Sequence, residues 1–267
     1  MRIVVCVKRV YDPKTIRVSR SREELDLREA VKITNPADRY ALEAALRLRE
    51  VAGGEVIAVT VDEPAAEDTA HEAVAIGADR AVLITGPELA AASGATITRL
   101  IAAAVERLAP VDLVLTGQMG LTDGTGSLAP RLAAALDWPV TLDAVRLEPA
   151  DGELVAQTRT VSANLASRRL PLPAVVAVAA CPARPRYPHP ARIANAWEPG
   201  LVEIWSVSDP AAGAGQGLGL EPAALAADTE PAGLILGPER VRGQVIGGTL
   251  EEAAATVVGL LKARRVI

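Results

Sequence analysis

Short, nearly unbroken aliphatic runs alternate along the chain with longer stretches that repeat every three to four residues. The runs RIVVCV (Arg2–Val7), EVIAVTV (Glu55–Val61), RAVLIT (Arg80–Thr85), DLVLT (Asp112–Thr116) and AVVAVAA (Ala174–Ala180) predict strands. Their lack of polar alternation is the mark of strands covered on both faces. Helices are predicted over Pro36–Glu50, Pro64–Ile76, Pro87–Leu108 and Gly126–Leu136. Asn35-Pro36 is a helix start, with Asn as cap and Pro at the first helical position. Gly77 ends a helix just before the strand that follows. Strand and helix in alternation predict an α/β fold: a doubly wound, mostly parallel, Rossmann-like sheet.

Three stretches break the alternation. Asp12–Thr34 is charged and reads as a hairpin-like excursion. Thr141–Arg169 reads as an antiparallel insertion of two strands around an Asp151-Gly152 turn. From Cys181 the chain turns proline-rich (CPARPRYPHPARIANAWEPG), and Pro182, Pro185, Pro188 and Pro190 forbid helix or central strand. Residues 1–205 are therefore expected to form one α/β domain with a protruding arm at 184–197. Residues 206–267 are expected to form a linker, Gly/Ala-rich near 209–227, and a last helix, Thr249–Arg265. The stripe Ala253, Val257, Leu260 and Leu261 on that helix must bury against something.

Composition narrows the function. Half of the 267 residues are apolar but only 2% are aromatic and Phe is absent, so the core is aliphatic. Few stacking surfaces and a net charge of −5 argue against a nucleic-acid partner. Cys6 and Cys181 make neither a disulfide framework nor a zinc site. No apolar run reaches membrane-spanning length and the N-terminus does not read as a signal peptide, so a cytoplasmic protein without direct membrane insertion is expected. Only two histidines occur: His71, expected on a helix surface, and His189, in an exposed-looking loop. No hydrolase elbow, P-loop or zinc-protease motif appears, and neither a catalytic nor a metal-binding set is read.

Candidate chemistry gathers in two places. The first is TGQMGLTDGTGSLAPRLAAAL, from Thr116 to Leu136, a glycine-rich loop between a strand and a helix. Gly124-Thr125-Gly126-Ser127-Leu128-Ala129 matches a dinucleotide fingerprint formally, but after the fourth strand rather than the first. Bare amides and the Thr122, Thr125 and Ser127 hydroxyls at a helix N-terminus suit a phosphate. The loop alone leaves a tight turn and a phosphate site level. Asn35 is read as a helix cap, or as a side chain facing the same crevice. The second place is the arm, where Arg184, Arg186, Tyr187, Ile193 and Trp197 are of types that dominate interface energetics.

The pieces VCVKRVYDP, NPADRYALEAALRLRE, AIGADRAVLI, DLVLTGQMGLTDGTGSLAPRLAAALDWP, LPLPAVVAV and RPRYPHPARI occur in an order that resembles the beta subunit of electron transfer flavoproteins, the FixA-like family. The resemblance covers most of residues 1–197. It implies a non-catalytic electron carrier: a heterodimer with an alpha subunit, an FAD site shared with that subunit, and AMP held structurally. In electron-bifurcating members a second FAD replaces AMP. It further implies electron delivery from dehydrogenases to a quinone reductase or another acceptor. By position, the AMP contacts fall at Cys6, at Asn35, Pro36, Ala37 and Asp38, and at Val61. They continue along the loop Gly117, Gln118, Met119, Gly120, Leu121, Thr122, Asp123, Gly124, Thr125, Gly126, Ser127 and Leu128. Two features depart from the family: Thr122-Asp123-Gly124 stands where an acid-rich run is common, and Ser127 where Gln is usual. The arm also lacks the usual Leu-Pro pair and the basic cluster after it. Two further readings keep the fold. One is an adenylate-using ligase or hydrolase, although Val7-Lys8-Arg9-Val10 after the first strand lacks the Ser-Gly cluster of ATP pyrophosphatases. The other is a nucleotide-binding module without an electron-transfer partner.

Overall fold

The structure is a computed structural model that describes residues 1–267 apart from 20, 22–23, 122–123, 181–182, 208–217, 219 and 221–242. Two compact units are present: residues 1–19 with 25–232, and residues 20–24 with 233–267. In chain order the strands are β1 (Arg2–Cys6), β2 (Arg9–Tyr11), β3 (Arg17–Ser19), β4 (Glu24–Asp26), β5 (Lys32–Thr34), β6 (Glu55–Val61), β7 (Arg80–Thr85), β8 (Leu113–Gly117), β9 (Val140–Ala150), β10 (Glu153–Arg159), β11 (Leu165–Pro171), β12 (Ala174–Val178) and β13 (Val202–Ser206). The α-helices are α1 (Pro36–Ala52), α2 (Glu67–Ile76), α3 (Gly94–Arg107), α4 (Leu128–Leu136), α5 (Pro190–Asn195) and α6 (Leu250–Ala263).

Nine strands form one sheet in the order β11-β10-β9-β12-β8-β1-β6-β7-β13. Pairing is parallel from β9 to β13 and antiparallel across β9, β10 and β11. Alternate residues of β1 serve opposite faces: Ile3 and Val5 meet the core beneath α1 and α2, while Val4 and Cys6 meet the core beneath α3 and α4. Burial on both faces is why these strands read as unbroken aliphatic runs. The α/β, mainly parallel expectation holds. From β1 the chain winds through β6 and β7, then returns to place β8 on the other side of β1. The crevice between the ends of β1 and β8 is thus a switch point of the sheet.

Several local expectations need correction. The helix expected from Pro87 is a 3₁₀ turn at Pro87–Ala91 followed by α3, which starts at a Ser93–Thr96 capping box. That from Pro64 is likewise a 3₁₀ turn, Pro64–Ala66, leading into α2. The antiparallel insertion has three strands, β9 to β11, because residues after Arg159 turn back against β10. Prolines did not exclude helix in the arm: Pro190 opens α5 at a position that needs no amide donor, and His189 caps it by accepting the Ala191 N–H. Val202–Ser206 extends the parallel sheet beside β7. Most of the expected linker lies outside the described residues. The tail helix forms as α6, capped by Thr249 and Glu252, and none of its residues is buried. No helix among the described residues is long and apolar enough to cross a membrane.

Candidate functional site

Asp38 organises the switch point. It sits in the first turn of α1 with 6% of its surface exposed. Its Oδ2 accepts the Lys8 N–H at 2.9 Å, and its Oδ1 accepts the Gly117 N–H at 3.2 Å. One carboxyl therefore ties together the segment after β1, the start of α1 and the end of β8. Burial pushes its pKa up to about 7, against the Lys8 and Gly117 amides, the Asn35 side chain and the Lys8 charge, which all favour the ionised form.

Asn35 does a second job. It precedes α1 but its side chain makes no capping bond. Instead its Nδ2 donates to the Met119 carbonyl at 3.2 Å, and its Oδ1 accepts the Leu121 N–H at 3.3 Å. The cap reading gives way to the crevice reading, because Pro36 fixes the helix start while the loop amides offer Asn35 partners. The glycine loop then folds on itself: the Gly124 N–H bonds to the Gly120 carbonyl at 2.9 Å, and Gly124 and Gly126 both have φ near +60°. Thr125 and Ser127 pair their hydroxyls at 3.0 Å at the start of α4.

These segments enclose a cleft of about 240 Å³. Of the expected residues, Cys6, Asn35, Asp38, Val61, Gly117, Gln118, Met119, Gly120, Thr125, Gly126, Ser127 and Leu128 line it. Pro36, Ala37, Leu121 and Gly124 are not among the lining residues, and Thr122 and Asp123 lie outside the described residues. Ala37 still matters, since it backs Gly117 closely. Cys6 is buried in the floor, and burial together with the neighbouring Asp38 charge pushes its thiol pKa strongly up, so the thiol stays protonated.

Sequence reasoning missed Lys8, Arg9 and Asp62, and also Gly94, Ile97, Thr98, Ile101 and Arg131. Lys8 and Asp62 follow strand ends on the ligand side of the sheet, a signal that could have flagged them. Arg9 is engaged: it reaches Asp62 at 3.6 Å and Glu63 at 2.6 Å, and donates to the Ala65 carbonyl. No cluster of His, Cys, Asp and Glu among the described residues could hold a metal.

The arm lies against the domain. Arg186 donates through Nε to Glu43 at 2.8 Å and through Nη1 to Glu50 at 2.7 Å, which fastens it to α1. His71 is not on the surface as expected. It is buried, because the segment after α5 covers α2. Its Nδ1 lies 2.7 Å from the Ala196 carbonyl, and its ring stacks on Trp197 with centroids 3.7 Å apart. A carbonyl only accepts, so Nδ1 bears the proton. Tyr187 and Ile193 point outward, 89% and 48% exposed. His71→Ala strands the Ala196 carbonyl, a loss of about 1–3 kcal/mol. Hydrogen exchange across residues 184–197 should quicken in this variant while exchange in β1 and β8 stays slow.

Residues 26–210 match the electron transfer flavoprotein domain family. The electron transfer flavoprotein subunit beta of Thermoanaerobacterium thermosaccharolyticum is 30% identical, and the alignment covers all of both chains. Protein FixA of Azorhizobium caulinodans is 39% identical over 51% of this chain and 50% of its own. The caffeyl-CoA reductase-Etf complex subunit CarD of Acetobacterium woodii is 29% identical over the whole of both. A doubly wound sheet, a glycine loop at its switch point and full-length similarity to a beta subunit agree: the chain belongs to the electron transfer flavoprotein family, on its beta-subunit branch, and is an electron-carrier subunit rather than an enzyme.

Proposed function

We propose that this chain holds AMP in the switch-point cleft and completes an FAD site with an alpha subunit, in a cytoplasmic heterodimer that moves electrons from dehydrogenases to a quinone reductase or another acceptor. The carrying observation is the cleft itself, in which Asp38 and Asn35 tie three strand-end segments around a glycine loop at a helix N-terminus. The residues fit a mononucleotide. Val59, Val61, Ile97 and Ile101 offer apolar walls to a base. The Thr125 and Ser127 hydroxyls and the first amides of α4 suit a phosphate. FAD, when bound, supplies the redox chemistry; this chain binds and orients. Tyr187, Ile193 and Trp197, with Arg184, form the outward face for the redox partner, while Arg186 fastens the arm to α1 and Trp197 also stacks on His71. The apolar stripe of α6 docks on or near the alpha subunit.

Denaturing the purified complex and weighing the released small molecule tests the reading. AMP beside FAD is expected; two FAD per heterodimer would favour the electron-bifurcating reading. A Cβ on Gly126 would stand 2.8 Å from the Gln118 carbonyl oxygen, at φ +60°. Gly126→Val adds roughly 1–2 kcal/mol of backbone strain and blocks the ligand. The variant should lose AMP and keep flavin redox chemistry. Full AMP occupancy in it would reject the assignment.

A further inference from the structure

Gly94 opens α3 and Arg131 lies in the first turns of α4, and both line the cleft. A Cβ on Gly94 would stand 2.9 Å from Arg131 Nη1. The missing side chain is therefore what lets the guanidinium rest against the start of α3. Arg131 is solvent-exposed there. Two helix N-termini converge there, and each presents positive charge. None of the ion pairs among the described residues involves Arg131. Arg9, the other arginine of the cleft, is already matched by Asp62 and Glu63. An anion entering this space meets two helix N-termini and a guanidinium, in a cleft that Asp38 and Asp62 also line.

We propose that Arg131 is the specificity determinant of the cleft, selecting a terminal phosphate monoester and so a 5′-mononucleotide over the corresponding nucleoside. The inference rests on the reading that the cleft holds AMP, and Gly94 acts as the positioning residue that admits the guanidinium. A monoester carries close to two negative charges near pH 7, whereas each phosphate of an internal pyrophosphate carries one. A planar guanidinium also meets two phosphate oxygens at once.

The test is calorimetric titration of the nucleotide-stripped heterodimer with AMP and with adenosine. Wild type should prefer AMP strongly. Arg131→Gln should weaken AMP roughly ten- to hundredfold and leave adenosine unchanged, collapsing the preference. Arg131→Lys should restore part of it, as charge without the fork. Gly94→Ala, which moves the guanidinium and keeps its charge, should weaken AMP and not adenosine. Arg131→Gln with wild-type AMP affinity overturns the proposal, as does equal weakening of AMP and adenosine, which would mark a purely structural role. If wild type binds no AMP, the AMP reading falls and this inference with it. Wild-type binding that is indifferent to Arg131→Gln removes the inference alone.

Discussion

Gly117→Ala should disrupt the cleft and lower the melting temperature by on the order of 10 °C. A Cβ at this position would stand 2.3 Å from Asp38 Oδ1, 2.7 Å from the Ala37 carbonyl carbon and 2.8 Å from Ala37 Cβ. The carboxyl could swing aside, but the Ala37 backbone belongs to the first turn of α1 and moves only with the helix. Overpacking of this kind costs about 1–3 kcal/mol or more. Losing the Gly117 N–H bond to Asp38 adds about 1 kcal/mol. Gly124→Ala is the contrast: its φ is +60° but nothing lies within 4 Å of the new Cβ. It should cost only the strain, roughly 1–2 kcal/mol. Urea unfolding of the two variants, with nucleotide content measured on each, checks the ranking. Equal losses would show that the Asp38–Gly117 contact does not hold the cleft together.

Removing the Asp38 carboxyl should be at least as damaging, and its replacement by Asn should make the penalty pH-dependent. Asp38→Ala leaves the Lys8 and Gly117 amides without their acceptor, roughly 1–3 kcal/mol each. Asp38→Asn keeps the shape and discards the titration, at the cost of one acceptor, since its NH2 faces one of the two backbone N–H groups. In the folded chain the carboxyl pKa rises from 3.8 to about 7, so the folded state binds this proton more tightly than the unfolded state. The group's favourable contribution is complete below pH 4 and is lost as pH rises towards 7, by roughly 4 kcal/mol in all. That figure already includes the Lys8 charge and the Lys8 and Gly117 amides, which favour the ionised form, and Cys6 stays neutral throughout. The Asn variant should therefore gain on wild type between pH 5 and pH 8. Chemical denaturation at the two pH values measures the difference. A difference independent of pH would mean that Asp38 ionises at its ordinary pKa.

The sheet was legible because burial on both faces leaves a one-dimensional trace: β1, β6, β7, β8 and β12 are aliphatic almost throughout. β13 was less so. It is an edge strand with Glu203 and the half-exposed Ile204 beside the buried Trp205, and it follows a run of prolines. His71 misled because an alanine-rich helix gives no hint of which faces are covered, and its cover comes from residues 125 positions later. At the site, glycines and the order of motifs pointed to the loop and to Asn35–Asp38. Gly94, Ile97, Thr98 and Ile101 left no such mark. Their part depends on α3 crossing the same end of the sheet as the loop, a fact of winding rather than of local sequence.

α1 begins at the cleft and continues under the arm. Asp38 in its first turn holds the loops, and Glu43 and Glu50 further along hold Arg186. From Asp38 to Glu50 is roughly 18 Å of helix axis. In genetic terms this helix is pleiotropic. An allele that frays it, such as a polar residue at the fully buried Leu46, would loosen cleft and arm together. Alleles confined to Gly117 or to Ile193 would each disturb one end. A screen for partner-specific defects will therefore be clean only outside α1.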